Sequence, residues 1–226
     1  MRVRLQIALV LLISTACFGQ VVDRMVAVVN KRVILESELD QATRIEFLMD
    51  GKSLGRIAQA DRSATLDRLI DRVLLDQQMV HQEMLEPTPE EVAERMTELR
   101  AQLPGGASDD GWRRLLNVYG LSEQDLAESV KAQIRILRFV DLRFRGLVRV
   151  DKNAIESYYN EKLLPQLRQQ GAATPPLTEV SDKIESILAE QSIDEMTARW
   201  LDTLRAQAHI DRMPAAPGGP ARGAQP

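Results

Sequence analysis

The residue types that do chemistry are sparse and scattered in this chain. It holds two histidines, His81 and His209, 128 positions apart, and neither sits beside a nucleophile motif. His81 is followed by Gln82 and Glu83, which is not the HExxH order that sets two imidazoles one helical turn apart on a zinc ion. The glycine-rich stretch PGGASDDG lacks the lysine and hydroxyl residue that a phosphate-cradling loop requires. Adjacent carboxylates, Glu90 with Glu91 and Asp109 with Asp110, fall where helices should start, and there they complement the positive end of the helix dipole. These patterns point away from an enzyme. No metal, nucleotide or other cofactor is expected.

Binding chemistry has better material. Met79, Met84 and Met96 gather around the second and third predicted helices, and flexible thioethers suit a surface that accepts many partners, although the same side chains serve equally as core filling. With Leu99 and Trp112 they form the predicted peptide-lining set. The single cysteine, Cys17, excludes a disulfide framework. It lies in a stretch, residues 1–19, that reads as a secretory leader: Arg2 and Arg4, an apolar run from Leu5 to Ile13, then Ser14, Thr15 and Ala16. Even Leu5 to Phe18 includes Gln6 and falls short of the ~20 apolar residues that span a bilayer. Cleavage is expected near Gly19 and Gln20. The second reading makes Cys17 a lipidated N-terminus, with Ser14 standing where such signals usually carry leucine. Without Arg2 and Arg4 the 29 basic residues become 27 against 33 acidic ones, a net charge of −6, which argues against nucleic acid as a partner.

The elements that must position these residues are mostly helices. Residues 21–35 alternate Met25, Ala27 and Val29 with Arg24, Val26 and Val28, break at Asn30, Lys31 and Arg32, and resume with Val33, Ile34 and Leu35, which predicts a hairpin. A lone hairpin is marginal in water, so a third strand is required. Helices are predicted from Ser37, capped by Ser37 with Asp40, and from about Ser63 to Leu85 with Leu66, Leu69, Ile70, Val73, Leu74 and Val80 as its stripe. Thr88, Pro89 and Glu91 form a capping box for a helix with Val92, Met96, Leu99 and Leu103 on one face. Trp112, Leu115, Leu116 and Tyr119 mark a short helix ended by Gly120. Ser122 and Asp125 open a long one, predicted to run to about Arg149, with Leu126, Val130, Ile134, Leu137, Val140, Phe144 and Leu147 at helical spacing. Asp151 caps a further helix to about Gln170, and the last runs from Leu177 to Gln207. The segment AHIDRM, residues 208–213, is the candidate for the missing strand. A tail of proline, glycine and alanine over residues 214–226 is expected to be disordered.

The order of these parts carries a resemblance. The hairpin VVDRMVAVVNKRVILESELD, the helix LDRLIDRVLLDQQM, the connection PTPEEVAERM, the junction YGLSEQDLAESVKAQI, the tyrosine pair AIESYYNEK and the closing SDKIESILAEQSIDEMTARWLDTLRAQAHI together resemble the N-terminal domain of SurA-type periplasmic chaperones with its C-terminal helix and strand. In that family a parvulin-type prolyl isomerase domain usually lies between the tyrosine-pair helix and the C-terminal helix. Here only LLPQLRQQGAATPP fills the gap. The resemblance implies a mostly α chaperone core, residues 20–213, with 21–170 as its N-terminal part and 177–213 as the helix and strand that complete it. The N-terminal hairpin and the C-terminal strand would form a small antiparallel β clasp.

The activity it implies is ATP-independent holding of unfolded outer-membrane proteins or other exported polypeptides, without isomerase activity, in the periplasm. A lipidated Cys17 would instead tie the chain to the envelope. The alternative is a dedicated assembly or scaffold subunit that docks on one folded partner.

Overall fold

The chain first reverses at Asn30, which adopts a left-handed backbone with φ +56°, a conformation that asparagine tolerates better than most side chains. The turn joins strand β1, Met25–Val29, to strand β2, Arg32–Leu35, in an antiparallel pair with an irregularity between Met25 and Ala27. In this computed structural model, which describes residues 23–80 and 82–214, strand β3, Ile210–Arg212, pairs antiparallel with the other side of β1, giving the order β2-β1-β3. AHIDRM is therefore the third strand. The expected leader with Cys17, His81, and the tail beyond residue 214 lie outside the described residues.

The side chain of Asn30 explains why the two ends of the chain close. Its Oδ1 accepts the His209 N–H at 3.0 Å and its Nδ2 donates to Gln77 Oε1 at 2.7 Å, while the Asn30 backbone N–H donates to the His209 carbonyl at 2.7 Å. One residue thus ties the hairpin turn to the approach to β3 and to helix α2, Gln59–Gln78. Val26, Ala27, Val29 and Ile34 are buried under β1 and β2 against Leu39, Leu69, Ile70, Val73 and Leu74.

Helix α1, Glu36–Met49, follows β2 directly. Its predicted cap is corrected: Ser37 lies inside the helix, and its N–H and hydroxyl both donate to the carboxylate of Asp23. A residue 14 positions upstream in sequence does the capping because the hairpin folds back on the helix start. Arg24 pairs with Glu36, and Arg62 of α2 bridges Glu36 and Asp40.

Helix α2 ends at Gln78 and not near Leu85. After the break, a short 3₁₀ turn over Glu83–Leu85 lets Met79 and Leu85 both reach Phe139, while Val80 is exposed. Helix α3, Pro89–Gln102, begins with the Thr88–Glu91 capping box, and α4, Asp109–Tyr119, ends at Gly120 with φ +60°. Helix α5, Glu123–Phe144, opens on the Ser122–Asp125 box. Its 22 residues span about 33 Å, shorter than expected because the backbone tightens into a 3₁₀ turn over Arg145–Leu147.

Asp151 caps α6, Lys152–Tyr158, which widens to a π-turn over Tyr159–Leu163 before α7, Leu164–Gln169. Pro165 has no N–H to give and its ring crowds the preceding turn, which accounts for the widening. Helix α8, Leu177–Gln207, then returns the chain to the sheet.

Among the described residues, three buried clusters make up most of the core. Helices α1, α3, α4 and the first half of α5 share one cluster around Phe47, Leu99, Trp112 and Leu126. The sheet, α1 and α2 share a second. The third joins Leu75, Met79, Leu85 and Phe139 to Trp200, Leu201 and Leu204 of α8. Leu204 touches both the second and third, and Trp200 lies 5.8 Å from the rings of Phe139 and Phe144. Among the described residues, no helix is long and apolar enough to cross a membrane.

Candidate binding groove

Helix α5 is long enough to take part in two clusters. Leu126 and Val130 belong to the first and Phe139 to the third. Between them α5 crosses a gap that α1 and α2 do not fill, and a half-open groove of about 700 Å³ lies there. That volume is within the range of functional ligand clefts.

The floor of the groove is apolar, with Phe47, Leu99, Leu126 and Val130 buried beneath it. Ile45 and Ile136 line its walls, and Met49 and Leu137 stand on its rim at 45% and 61% exposure. Exposed side chains this apolar beside a concave surface mark a place that a partner can cover. Ser129 and Gln133 of α5 add polar groups to one wall.

The opposite wall is charged and largely self-paired. Arg68 donates to Glu46 through both Nε and Nη2, and the buried Thr65 hydroxyl donates to the same carboxylate at 2.5 Å. The hydrogen bond to Glu46 holds the Arg68 guanidinium above its ordinary range. Lys52 pairs with Asp50 at 2.7 Å, and Asp61 accepts the Ala58 N–H at 2.8 Å. The frame is braced from outside: Gln41 of α1 donates to Asp125 at the start of α5, and the Tyr119 hydroxyl donates to the Lys52 carbonyl at 2.9 Å.

A second charged cluster lies at the far end of α2. Burial pushes the Asp76 carboxyl up from its ordinary value, and Glu86 adds to this while Arg135, Arg72 and Arg32 oppose it. Arg135 approaches Glu86 at 3.3 Å but is not aligned to donate a hydrogen bond from Nε. Lys131 shares Glu86, and Arg138 pairs with Glu91.

The structure does not bring the predicted lining set together. Met79, Met96, Leu99 and Trp112 are buried, Met79 against Phe139 and the other three in the first cluster. Side-chain type made them candidates for a surface, but Met96 and Leu99 face inward from α3 and Trp112 from α4, and Met79 turns in at the end of α2, so in this geometry they are core. Only Leu99 reaches the groove, from below. Met84 is 80% exposed on its 3₁₀ turn and does not line the groove.

The residues that do form the rim are Met49, the last residue of α1, and Leu137, which stands in the middle of the apolar stripe read along the long helix. A signal was present in AQIRILRFV: Ile134, Ile136 and Leu137 are apolar at spacings too wide for one packed face.

A family model described as a SurA-like N-terminal domain matches residues 3–140 of this chain. Among solved structures, one from work on the virulence factor PEB4 and the periplasmic protein Cj1289 of Campylobacter jejuni, described as two structurally related SurA-like chaperones, has a similar fold. It aligns with a TM-score of 0.50 and 11% sequence identity, over 85% of this chain and 100% of that one. No curated protein matches the sequence.

Proposed function

The chain belongs to the family of SurA-like N-terminal domains, and from that premise we propose that it is an ATP-independent chaperone of the periplasm. In this reading it holds unfolded polypeptides, outer-membrane proteins foremost, in the groove between α1, α2 and α5. The observation that carries the reading is the groove itself: an apolar floor with Met49 and Leu137 exposed on its rim. An unfolded barrel strand alternates apolar with polar side chains, and an extended segment presents every second side chain to one face. Such a segment can lay its apolar face on the groove while the other remains in water. Because the groove is open on one side, the client leaves by folding, which buries the same side chains elsewhere.

The chain is proposed to act without prolyl isomerase chemistry. Seven residues separate α7 from α8, too few to hold a catalytic domain at that point.

The test dilutes a urea-unfolded outer-membrane barrel protein into buffer with the chain lacking residues 1–19, without nucleotide, and follows light scattering. Suppression at stoichiometric excess is expected. The double variant Met49→Glu, Leu137→Glu should lose it while its Tm stays within about 2 °C, since both side chains are exposed. Unimpaired suppression by that variant removes the groove from the account, and no suppression by the parent chain removes the holdase reading.

A further inference from the structure

We propose that Arg72 makes the groove selective for extended polypeptide segments that carry a carboxylate among apolar side chains. The inference deepens the holdase reading and rests on it.

Six charged side chains line the groove, and five are engaged. Arg68 and Glu46 pair with each other, as do Lys52 and Asp50, and Asp61 accepts the Ala58 N–H. Arg72 is half-buried on α2, lines both the groove and the small recess beside Ala42 and Leu69, and forms no hydrogen bond or ion pair among the described residues. The adjacent Asp71 is paired with Arg205, and Asp76, one helical turn on, feels the charge of Arg72 but is not within ion-pair distance and does not line the groove.

A guanidinium that is partly withdrawn from water and left without an acceptor lacks the pairing that normally offsets desolvation. Its planar fork of N–H donors matches a carboxylate in two parallel hydrogen bonds. Across the groove, Ser129 and Gln133 offer a donor and an acceptor for the backbone of an extended segment. The occupant that satisfies these groups together is a chain with apolar side chains on the floor and a carboxylate at Arg72. That carboxylate can come from an Asp or Glu side chain or from the chain end.

The experiment uses three fluorescein-labelled nonapeptides with leucine and phenylalanine at alternate positions, read by anisotropy. One is end-blocked with a central Asp, one is its end-blocked Asn twin, and one is the Asn peptide with a free terminal carboxylate. The parent chain should bind a carboxylate peptide about fivefold more tightly than the blocked Asn peptide, less at 0.5 M salt. Which of the two carboxylate peptides gains affinity identifies the source. Arg72→Met should bind the carboxylate peptides no more tightly than it binds the Asn peptide, and Arg72→Lys should keep part of the preference. Unchanged melting of both variants shows that the fold is intact.

Equal binding of all three peptides by the parent chain overturns the selectivity alone, as does a preference that survives in Arg72→Met. Binding of none of them overturns the selectivity and the groove reading together.

Discussion

Replacing Asn30 with glycine and, separately, with alanine isolates what holds the two ends of this chain together. The glycine variant keeps the backbone free to adopt φ +56° and removes the side-chain bonds to the His209 N–H and to Gln77. Both bonds are exposed to water, so each contributes about 0.5–1 kcal/mol, and the loss is about 1–2 kcal/mol. Alanine loses the same bonds and adds the penalty of a left-handed β-carbon, about 1 kcal/mol more. For a chain of this size 1 kcal/mol moves Tm by roughly 2–4 °C. The expected order is therefore parent, then Asn30→Gly lower by roughly 2–8 °C, then Asn30→Ala lower by a further 2–4 °C. The assay is thermal unfolding by circular dichroism, with urea midpoints as the check. Hydrogen exchange at the Met213 N–H, which donates to the Val26 carbonyl at 2.9 Å, should quicken in both variants because β3 docks less firmly. Two equally stable variants would refute the backbone argument, and an Asn30→Gly melt identical to the parent would refute the clasp as a source of stability.

Truncation after Gln207 removes β3 and leaves β1 with an open edge beside the buried Val26, Ala27 and Val29, so Tm should fall, and an unchanged melt would show that α8 alone closes the core. Asp76→Asn should raise Tm at pH 7.5: a carboxyl whose folded pKa is raised opposes folding once ionised, and that cost disappears as pH falls below its unfolded value. The advantage of Asn should therefore shrink toward pH 3.5, and a variant less stable than the parent at every pH would contradict it. Glu91 has the opposite sign. The Thr88 N–H, and then Arg138, hold its carboxyl below the ordinary range, so its contribution is present above the unfolded pKa and is lost as pH falls through the folded one. The Tm difference between the parent and Glu91→Gln should close between pH 5 and 3; a gap that stays constant would assign the effect to packing. Thr88→Ala at the same cap should cost about 1 kcal/mol in urea unfolding, and a loss below a few tenths would mean that Pro89 holds the helix start unaided.

Local signals were legible at most helix caps, although the start of α2 at Gln59, where Asp61 accepts the Ala58 N–H, lies four residues before the expected Ser63. The boxes at Thr88–Glu91 and Ser122–Asp125, the left-handed Gly120 and the Asp151 cap each involve donors and acceptors within three or four residues of one another, and each is present. The bounds of α8 were readable for the same reason, between Pro176 and the change of pattern at Ala208. Signals misled where a distant partner decided the outcome. Ser37 looked like a cap until Asp23 took the role, and α2 stopped short because Met79 and Leu85 both turn inward to Phe139.

The candidate site followed the same division. Methionine and tryptophan counts could not separate core from lining, since one side chain serves both uses and only its neighbours decide. Met96 and Trp112 went to the interior while Met49 and Leu137, no more apolar, stayed on a rim.

What the sequence by itself determined is a mostly helical chain with a hairpin at one end and a strand at the other, poor in catalytic groups. Hydrophobic period and capping chemistry are written in neighbouring residues. What only the tertiary structure decided is where helices fail to fill space. The groove exists because α5 serves two clusters and leaves a gap beside α1 and α2, and Arg72 is left without a partner among the described residues because the other charged side chains of the groove are already engaged. Both depend on residues far apart in sequence meeting, or not meeting, in three dimensions.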